Sequence, residues 1–370
     1  MKFAVVEYSS KSGKAWQHTD ARPNYLCDPV TEIDPTSFGC YVSALKGEHI
    51  PLNGLITGPV NQVSSLAHFY RKATKRLTRK WPSYSLNYLQ TFDVILFVHQ
   101  LSETKEINRA LARLRKLTPR PLVFGVPTQP FGILNKAFAE TNDSLHDFQD
   151  FASLCDVFIS IVASTVPFYQ AHTTTPVVYF PQPYPAAFAS RHFTPFSRKE
   201  KTILVAGVTQ RYNIVQGQTV AKKLQEIYPD HLILIPKVAD LDYDYTALAD
   251  SRYQVLPFEH WQDHLKTLAK TKLVINTDYT ATRGRIQADC AAVGTPSVGS
   301  NSDAQQDLFP NQFAEPNATV DDLVTQSRQL LDNEEYYTQV ALSAKDKLAE
   351  YDYGITAQRF TELVKKYRHD

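Results

Sequence analysis

The apolar positions of this chain fall into short runs separated by stretches of helical period. That alternation predicts a parallel α/β architecture. Phe3–Val6 reads as a first strand. Asp93–Val98 and Pro121–Gly125 read as buried strands on either side of a helix from about Ser102 to Leu117, and Asp156–Ile161 and Val177–Phe180 follow. Runs this continuously apolar need cover on both faces, which parallel sheets obtain from their crossover helices. Residues 181–200 break the pattern with four prolines and a closing charged cluster. Proline fixes φ and removes a backbone donor, so the stretch predicts a boundary, with a linker over 191–200. The alternation then restarts: strand Lys201–Ala206, helix Gly217–Ile227, strands His231–Ile235, Gln254–Leu256 and Leu273–Asn276, helix Arg285–Val293, strand Ser297–Val298, and a mainly helical end. The expected organisation is a Rossmann-like domain over 1–190 and a second over 201–350. A last helix over 351–370 is expected to pack back on the first domain.

Length and composition sharpen this picture. At about 100–200 residues per domain, 370 residues suit two domains. With 43% hydrophobic and 21% charged residues the chain is globular in composition and not disordered. Its 39 basic and 38 acidic residues leave a net charge of +1, which excludes a protein basic throughout and leaves only local patches for polyanions. No run of 18 apolar residues predicts a membrane span, and the apolar start at Phe3–Val6 is too short for a signal peptide. Cys27, Cys40, Cys155 and Cys290 lie far apart with no CxxC pair, so reduced, buried thiols are expected, not zinc or disulfides. The expectation is a soluble, cytoplasmic protein.

Phosphate chemistry has two candidate loops. Ser9–Lys14 follows the first strand, where open α/β sheets bind ligands, and Gly13 is its flexible point. It is no Walker A loop, because Tyr8 stands where the first glycine belongs and Ala15 replaces the magnesium-binding hydroxyl. The second loop, Thr282–Pro296, begins just after strand Leu273–Asn276. Gly284 at its helix start lets backbone N–H groups approach an anion, and Arg283 and Arg285 flank it with charge-assisted donors. Asp289, further along the same helix, is placed to reach hydroxyl groups. An ordinary capped helix with two solvated arginines is the plain alternative.

From Ala281 to Pro296 the spacing resembles the Glu-x7-Glu segment of the retaining GT-B glycosyltransferases, the family that includes sucrose synthase and many bacterial capsule and lipopolysaccharide transferases. Aligned on Gly294-Thr295-Pro296, Asp289 falls on the second glutamate, Gly284 on the motif glycine and Ala281 on the first glutamate. Pro176–Phe188 is similar to that family's strand before the linker, and Thr202–Gly207 to its first C-terminal strand. The resemblance implies two Rossmann-like domains facing across a cleft, the GT-B fold. It implies a nucleotide sugar as substrate, no resident cofactor and no metal. Donor contacts would come from Gly13, Gly207, Arg211, Arg283, Gly284, Arg285 and Asp289, with diphosphate at Gly284 and ribose at Asp289. Arg211 would neutralise the leaving diphosphate. Thr128 and Gln129 stand where the family's N-domain histidine belongs, so His99, at the end of strand Asp93–Val98, is the substitute catalytic candidate. A hydrogen-bonded core histidine is its other reading.

Three further signals carry less. Asp240, Asp242 and Asp244 have the Asp-x-Asp spacing that binds divalent cations elsewhere, but they sit in a context that needs no metal. His260 and His264 lie i, i+4 without the HExxH arrangement. Residues 63–81 place Val63, Leu66, Ala67, Tyr70, Leu77 and Trp81 on one helical face. Arg71, Lys72, Lys75, Arg76, Arg79 and Lys80 fall on the other, for an anionic membrane surface, another polyanion such as nucleic acid, or plain solvation. The expected activity is metal-independent, retaining transfer of a sugar from a nucleotide sugar to a glycan or lipid-linked glycan. The alternatives are a non-catalytic GT-B-like binding protein, suggested by Ala281, and a transferase acting on modified DNA bases.

Overall fold

The computed structural model describes residues 1–7, 16–17, 38–51, 83–206, 213–237, 245–257, 259–313 and 317–368. The chain divides into two compact units, Met1–Tyr184 with Tyr353–Asp370, and Pro185–Asp352.

Unit 1 is built on β1 (Phe3–Glu7), β2 (Trp16–Gln17), β3 (Glu48–Pro51), β4 (Val94–His99), β5 (Leu122–Pro127), β6 (Val157–Ser160) and β7 (Val177–Tyr179). Their order is β2-β3-β1-β4-β5-β6-β7, parallel apart from β2 against β3. Helices α1 (Gly39–Leu45), α2 (Ser83–Leu89), α3 (Thr104–Leu114), α4 (Phe131–Glu140), α5 (Asn142–Leu154) and α6 (Val166–His172) connect the strands. Alternate residues of β1 enter opposite cores: Phe3 and Val5 pack with α1, while Ala4 and Val6 pack with α2, α3 and α5. Every residue of β4 is buried, as the unbroken apolar run predicted for a strand covered on both faces.

Unit 2 begins with the short α7 (Ala186–Ala189) and carries β8 (Thr202–Ala206), α8 (Ile214–Ile227), β9 (Leu232–Pro236), β10 (Tyr253–Leu256), α9 (Trp261–Lys270), β11 (Leu273–Asn276), α10 (Arg285–Val293) and β12 (Ser297–Val298). Helices α11 (Asp303–Leu308), α12 (Val320–Leu331) and α13 (Glu334–Leu348) complete it. Its all-parallel sheet runs β10-β9-β8-β11-β12. The closing helix α14 (Tyr353–Tyr367) belongs to unit 1, where the Phe360 ring lies 5.4 Å from Phe3, 5.2 Å from Phe124 and 5.4 Å from Phe180.

The proline-rich stretch takes a different form from the linker expected over 191–200. The units divide between Tyr184 and Pro185, and the residues after the division pack on unit 2. Phe196 meets the Tyr337 ring edge-on at 4.8 Å. Lys199 is buried, and its Nζ donates to Ala269 O, Val293 O and Thr295 Oγ1 at 3.0, 3.3 and 2.7 Å. Aromatic and lysine anchors thus hold a segment whose prolines leave only short helical turns. No helix among the described residues is long and apolar enough to cross a membrane.

Candidate functional site

In an open parallel sheet, ligands bind outside the carboxyl ends of the strands, where the strand order reverses. In unit 2 that point lies between β8 and β11, since the chain runs outward through β9 and β10 and then returns to the other side of β8. Helices α8 and α10 follow these two strands, so their N-termini stand at the reversal.

The segment between β11 and α10 is fastened to the one after β12. Asn301 donates its backbone N–H to Asp278 O at 3.3 Å and its side-chain amide to Tyr279 O at 3.2 Å, while its Oδ1 accepts from Ala281 N at 3.1 Å. Asp303 and Ala304 N–H groups then donate to Thr282 O and Arg283 O at 3.0 and 3.2 Å. Ala281 and Ser300 are held at φ +49° and +68°, a left-handed conformation that costs a residue with a Cβ about 1–2 kcal/mol. Asp278 is buried, and its Oδ1 accepts from the Thr280 N–H and hydroxyl at 2.9 and 2.5 Å.

Gly284 is the N-cap residue of α10, at φ +81°. A Cβ there would stand 2.5 Å from Ser302 Oγ, 2.8 Å from Gln287 Oε1 and 2.9 Å from Ala304 Cβ, so the position admits only glycine without rearrangement. Glycine offers no side-chain oxygen, and α10 starts without a side-chain cap. Helices α8, α11, α12 and α13 are capped by Asn213, Ser302, Thr319 and Asn333. The N–H groups of Arg285 and Ile286 in the first turn of α10 thus receive no side-chain cap, while the Gln287 N–H donates to Gly284 O at 3.2 Å; a helix end of this kind favours an anion by about 0.3–1 kcal/mol. Arg283 beside this end is half-buried and Arg285 is exposed.

Gln287 is the residue that sequence reasoning missed. It is 0% exposed, and neither its Oε1 nor its Nε2 has a hydrogen-bond partner. A buried polar group left unpaired costs about 1–3 kcal/mol. Its signal is legible in retrospect: glutamine at the third helical position usually reaches back to the cap, and here the cap is a glycine with nothing to return.

The other expected residues are placed as follows. Asp289 is buried, and its Oδ1 accepts from Trp261 Nε1–H at 2.9 Å, so its carboxylate faces α9 inside unit 2. The Trp261 ring in turn lies 5.8 Å from that of Phe188. His99 is a core residue of unit 1: it is fully buried, with its ring 5.4 Å from Phe148 and 5.0 Å from Phe151. Its Nε2 forms a hydrogen bond with Thr104 Oγ1 at 3.0 Å, and that hydroxyl also lies 3.0 Å from Gln100 O and 3.2 Å from Leu101 O. Burial pushes the pKa of His99 down to about 3, so the ring is neutral at pH 7. The hydrogen-bonded core reading describes it, in place of the catalytic one. Gly13, Gly207, Arg211, the Asp240–Asp244 run and the basic stretch 71–80 lie outside the described residues.

No group of three or more His, Cys, Asp or Glu side chains is poised to hold a metal among the described residues. His264 is instead paired with Glu259 at 3.6 Å, and Glu259 also accepts from Thr267 Oγ1 at 2.7 Å.

No protein-family model matches the chain, and no curated protein does. Solved structures do match over its whole length. Sucrose-phosphate synthase from Thermosynechococcus elongatus covers 99% of both chains at 12% identity, with a TM-score of 0.64. HepE of Anabaena, solved in complex with UDP-glucose, covers 99% of this chain and 100% of its own at 13% identity and a TM-score of 0.66. A trehalose-6-phosphate protein of E. coli, bound with UDP-2-fluoro glucose, covers 99% of both at 11% identity and a TM-score of 0.65. At such identities the likeness speaks for architecture: the chain has the two parallel-sheet α/β domains of the GT-B fold.

Proposed function

We propose that this protein is a glycosyltransferase that moves a sugar from a nucleotide-sugar donor to a glycan or lipid-linked glycan, with retention and without a metal. The observation that carries the reading is the uncapped N-terminus of α10 at the strand-order reversal of unit 2, behind Gly284. In support, HepE and the E. coli protein of the same fold were solved with UDP-glucose and UDP-2-fluoro glucose.

In this reading the donor diphosphate sits against the first-turn N–H groups of α10. Breaking the sugar–phosphate bond leaves negative charge on the departing diphosphate. Fixed N–H dipoles and the guanidinium groups of Arg283 and Arg285 stabilise that charge as it develops, with Arg211 as a further contributor. Asp289 lies in the same helix and accepts from Trp261 of α9, and the ribose contact expected of Asp289 belongs to the proposal. The six basic residues between Arg71 and Lys80 support work at an anionic surface, where a lipid-linked acceptor would present its reactive sugar.

The test is a panel of UDP, GDP and dTDP sugars incubated with the purified chain and acceptor glycans. Release of nucleoside diphosphate with transfer of the sugar is the expected result. Ala281, which supplies no carboxylate, favours a second reading as a binding protein without turnover. Tight nucleotide-sugar binding with no release under any acceptor would select that reading. Activity abolished by EDTA and restored by manganese would remove the metal-independent part.

A further inference from the structure

Two glutamines of unit 2, Gln218 and Gln287, are 0% exposed with both side-chain polar atoms unpartnered. They differ in where they lie. Gln218 sits in the second turn of α8, behind a helix start capped by Asn213. Gln287 sits in the first turn of α10, whose start has no side-chain cap. Its Oε1 is 2.8 Å from the point where a Cβ of Gly284 would stand, so the amide turns back toward the N-terminus of its own helix. Ser302 Oγ lies 2.5 Å from the same point, while accepting from Gln305 N at 3.2 Å to cap α11.

A fully buried carboxamide with neither atom paired is rare in a folded protein, and it calls for a partner that binds there. Water is one such partner and a ligand oxygen is another. The surroundings select between them. The neighbouring first-turn N–H groups and Arg283 favour negative charge. A half-turn of the amide about its last torsion exchanges the places of Oε1 and Nε2, and so brings a donor to the helix start. The helix end and the amide would then point donors at one anion.

We infer that Gln287 is a ligand-binding residue that donates a hydrogen bond from Nε2 to a phosphate oxygen of the bound nucleoside diphosphate. This deepens the nucleotide-sugar reading and rests on it. The free protein tolerates an unpaired amide because the bound diphosphate completes it. Such a residue has an uncommon signature: its removal relieves the free protein and weakens the complex.

The experiment uses the full chain, with UDP, GDP and dTDP as probes in calorimetry and thermal melts. Gln287→Met keeps the side-chain volume without the amide. It is expected to raise the Tm of the free protein by about 2–4 °C, the shift that one relieved unpaired group produces in a unit of this size. It is expected to weaken diphosphate binding by about 10- to 100-fold, the range for one hydrogen bond to a charged group. Gln218→Met is the control. It removes the other unpaired amide and should leave affinity within twofold.

Gln287→Leu serves if the methionine variant does not fold. Unchanged affinity in the Gln287 variant overturns the inference, whatever the Tm does. A lowered Tm together with weaker binding also overturns it, because that is the mark of a loosened site. Equal weakening by Gln218→Met does the same. If the wild-type chain binds none of UDP, GDP and dTDP, the nucleotide-sugar reading itself falls and takes this inference with it; binding by wild type and Gln287→Met alike removes the inference alone.

Discussion

Gly284→Ala adds one methyl group where the geometry of α10 has no room for it. The residue sits at φ +81°, and moving an alanine into that region costs about 1–2 kcal/mol. The new Cβ would also lie 2.5 Å from Ser302 Oγ and 2.9 Å from Ala304 Cβ. Ser302 cannot step aside freely, since its Oγ caps α11 through Gln305 N. Losing that cap costs about 1 kcal/mol, and forcing a methyl into a filled site about 1–3 kcal/mol more if nothing yields. Because relief of the clash and loss of the cap are alternatives, the expected destabilisation is about 2–4 kcal/mol. The assay is urea unfolding in a Trp16→Phe, Trp81→Phe background, which leaves Trp261, buried in unit 2, as the single tryptophan reporter. The midpoint shift multiplied by the slope gives the change for that unit, apart from any separate transition of unit 1. An unchanged midpoint would refute the reasoning, since it would mean that the turn into α10 is free to adopt another conformation. In that case the claim that glycine holds the helix end open for an anion fails as well.

Arg283→Ala is expected to weaken UDP or GDP binding by about 1.5–3 kcal/mol, and Arg285→Ala by under about 1 kcal/mol because the latter side chain is exposed and screened; calorimetry on both variants decides, and unchanged affinity in both moves the diphosphate elsewhere. Asp289→Ala should cost about 1–3 kcal/mol of stability by leaving the Trp261 indole N–H unpaired. Asp289→Asn keeps an acceptor and should hold most of that stability, so weaker donor binding in the asparagine variant reports a ribose contact, not unfolding. His99, with a folded pKa of about 3 against 6.5 unfolded, binds fewer protons in the folded state between those values. Stability is therefore complete above pH 6.5 and falls by about 1.4 kcal/mol per pH unit as acid is added toward pH 3. His99→Leu should flatten that part of a pH–melting profile, and an unaltered profile would contradict the burial argument. Liposomes with anionic lipid should co-sediment the wild-type chain at low salt and release it as salt rises, and glutamate at 71, 72, 75 and 76 should abolish the binding.

The central strands were readable because burial on both faces leaves polar residues only at their ends, such as His99 in β4 and Asn276 in β11. Leu273–Asn276, Arg285–Val293 and Ser297–Val298 fall where the pattern placed them. β3 escaped the same reading for a physical reason. Its sequence, Glu48-His49-Ile50-Pro51, carries two titratable residues that a buried strand should exclude. The fold accommodates them by pairing: Tyr88 donates to Glu48, with its hydroxyl 2.8 and 2.7 Å from the two carboxylate oxygens, and His49 Nε2 meets Glu7 at 2.9 Å. These partners are 40 and 42 residues away, and no local pattern announces them. Lys199 is the same case seen from the linker, where a lysine after prolines reads as solvated and is in fact anchored by groups of α9 and the α10–β12 turn. His99 was ambiguous because strand-end position and core packing write the same residue into the sequence, and only the ring contacts separate them.

The two ends of α10 make the argument for the site without reference to any relative. At its C-terminus the helix is closed: Gly294 takes φ +75°, its N–H returns to Ala291 O, and Lys199 Nζ reaches Val293 O at 3.3 Å. The Tyr337 hydroxyl lies 2.7 Å from Lys272 O just below, fastening the sheet at that end. At its N-terminus the cap is a glycine, the third helical residue is a buried glutamine without a partner, and two arginines stand beside them. A helix stabilised only for its own sake would gain a few tenths of a kcal/mol from serine or aspartate in place of glycine at position 284, and the close approach of Ser302 and Ala304 forbids either. The chain thus spends its capping groups on the end away from the strand-order reversal and leaves the other to be completed. In the proposed reading what completes it is an acceptor that carries negative charge and is small enough to lie against a single helical turn, and a phosphate group meets all three conditions.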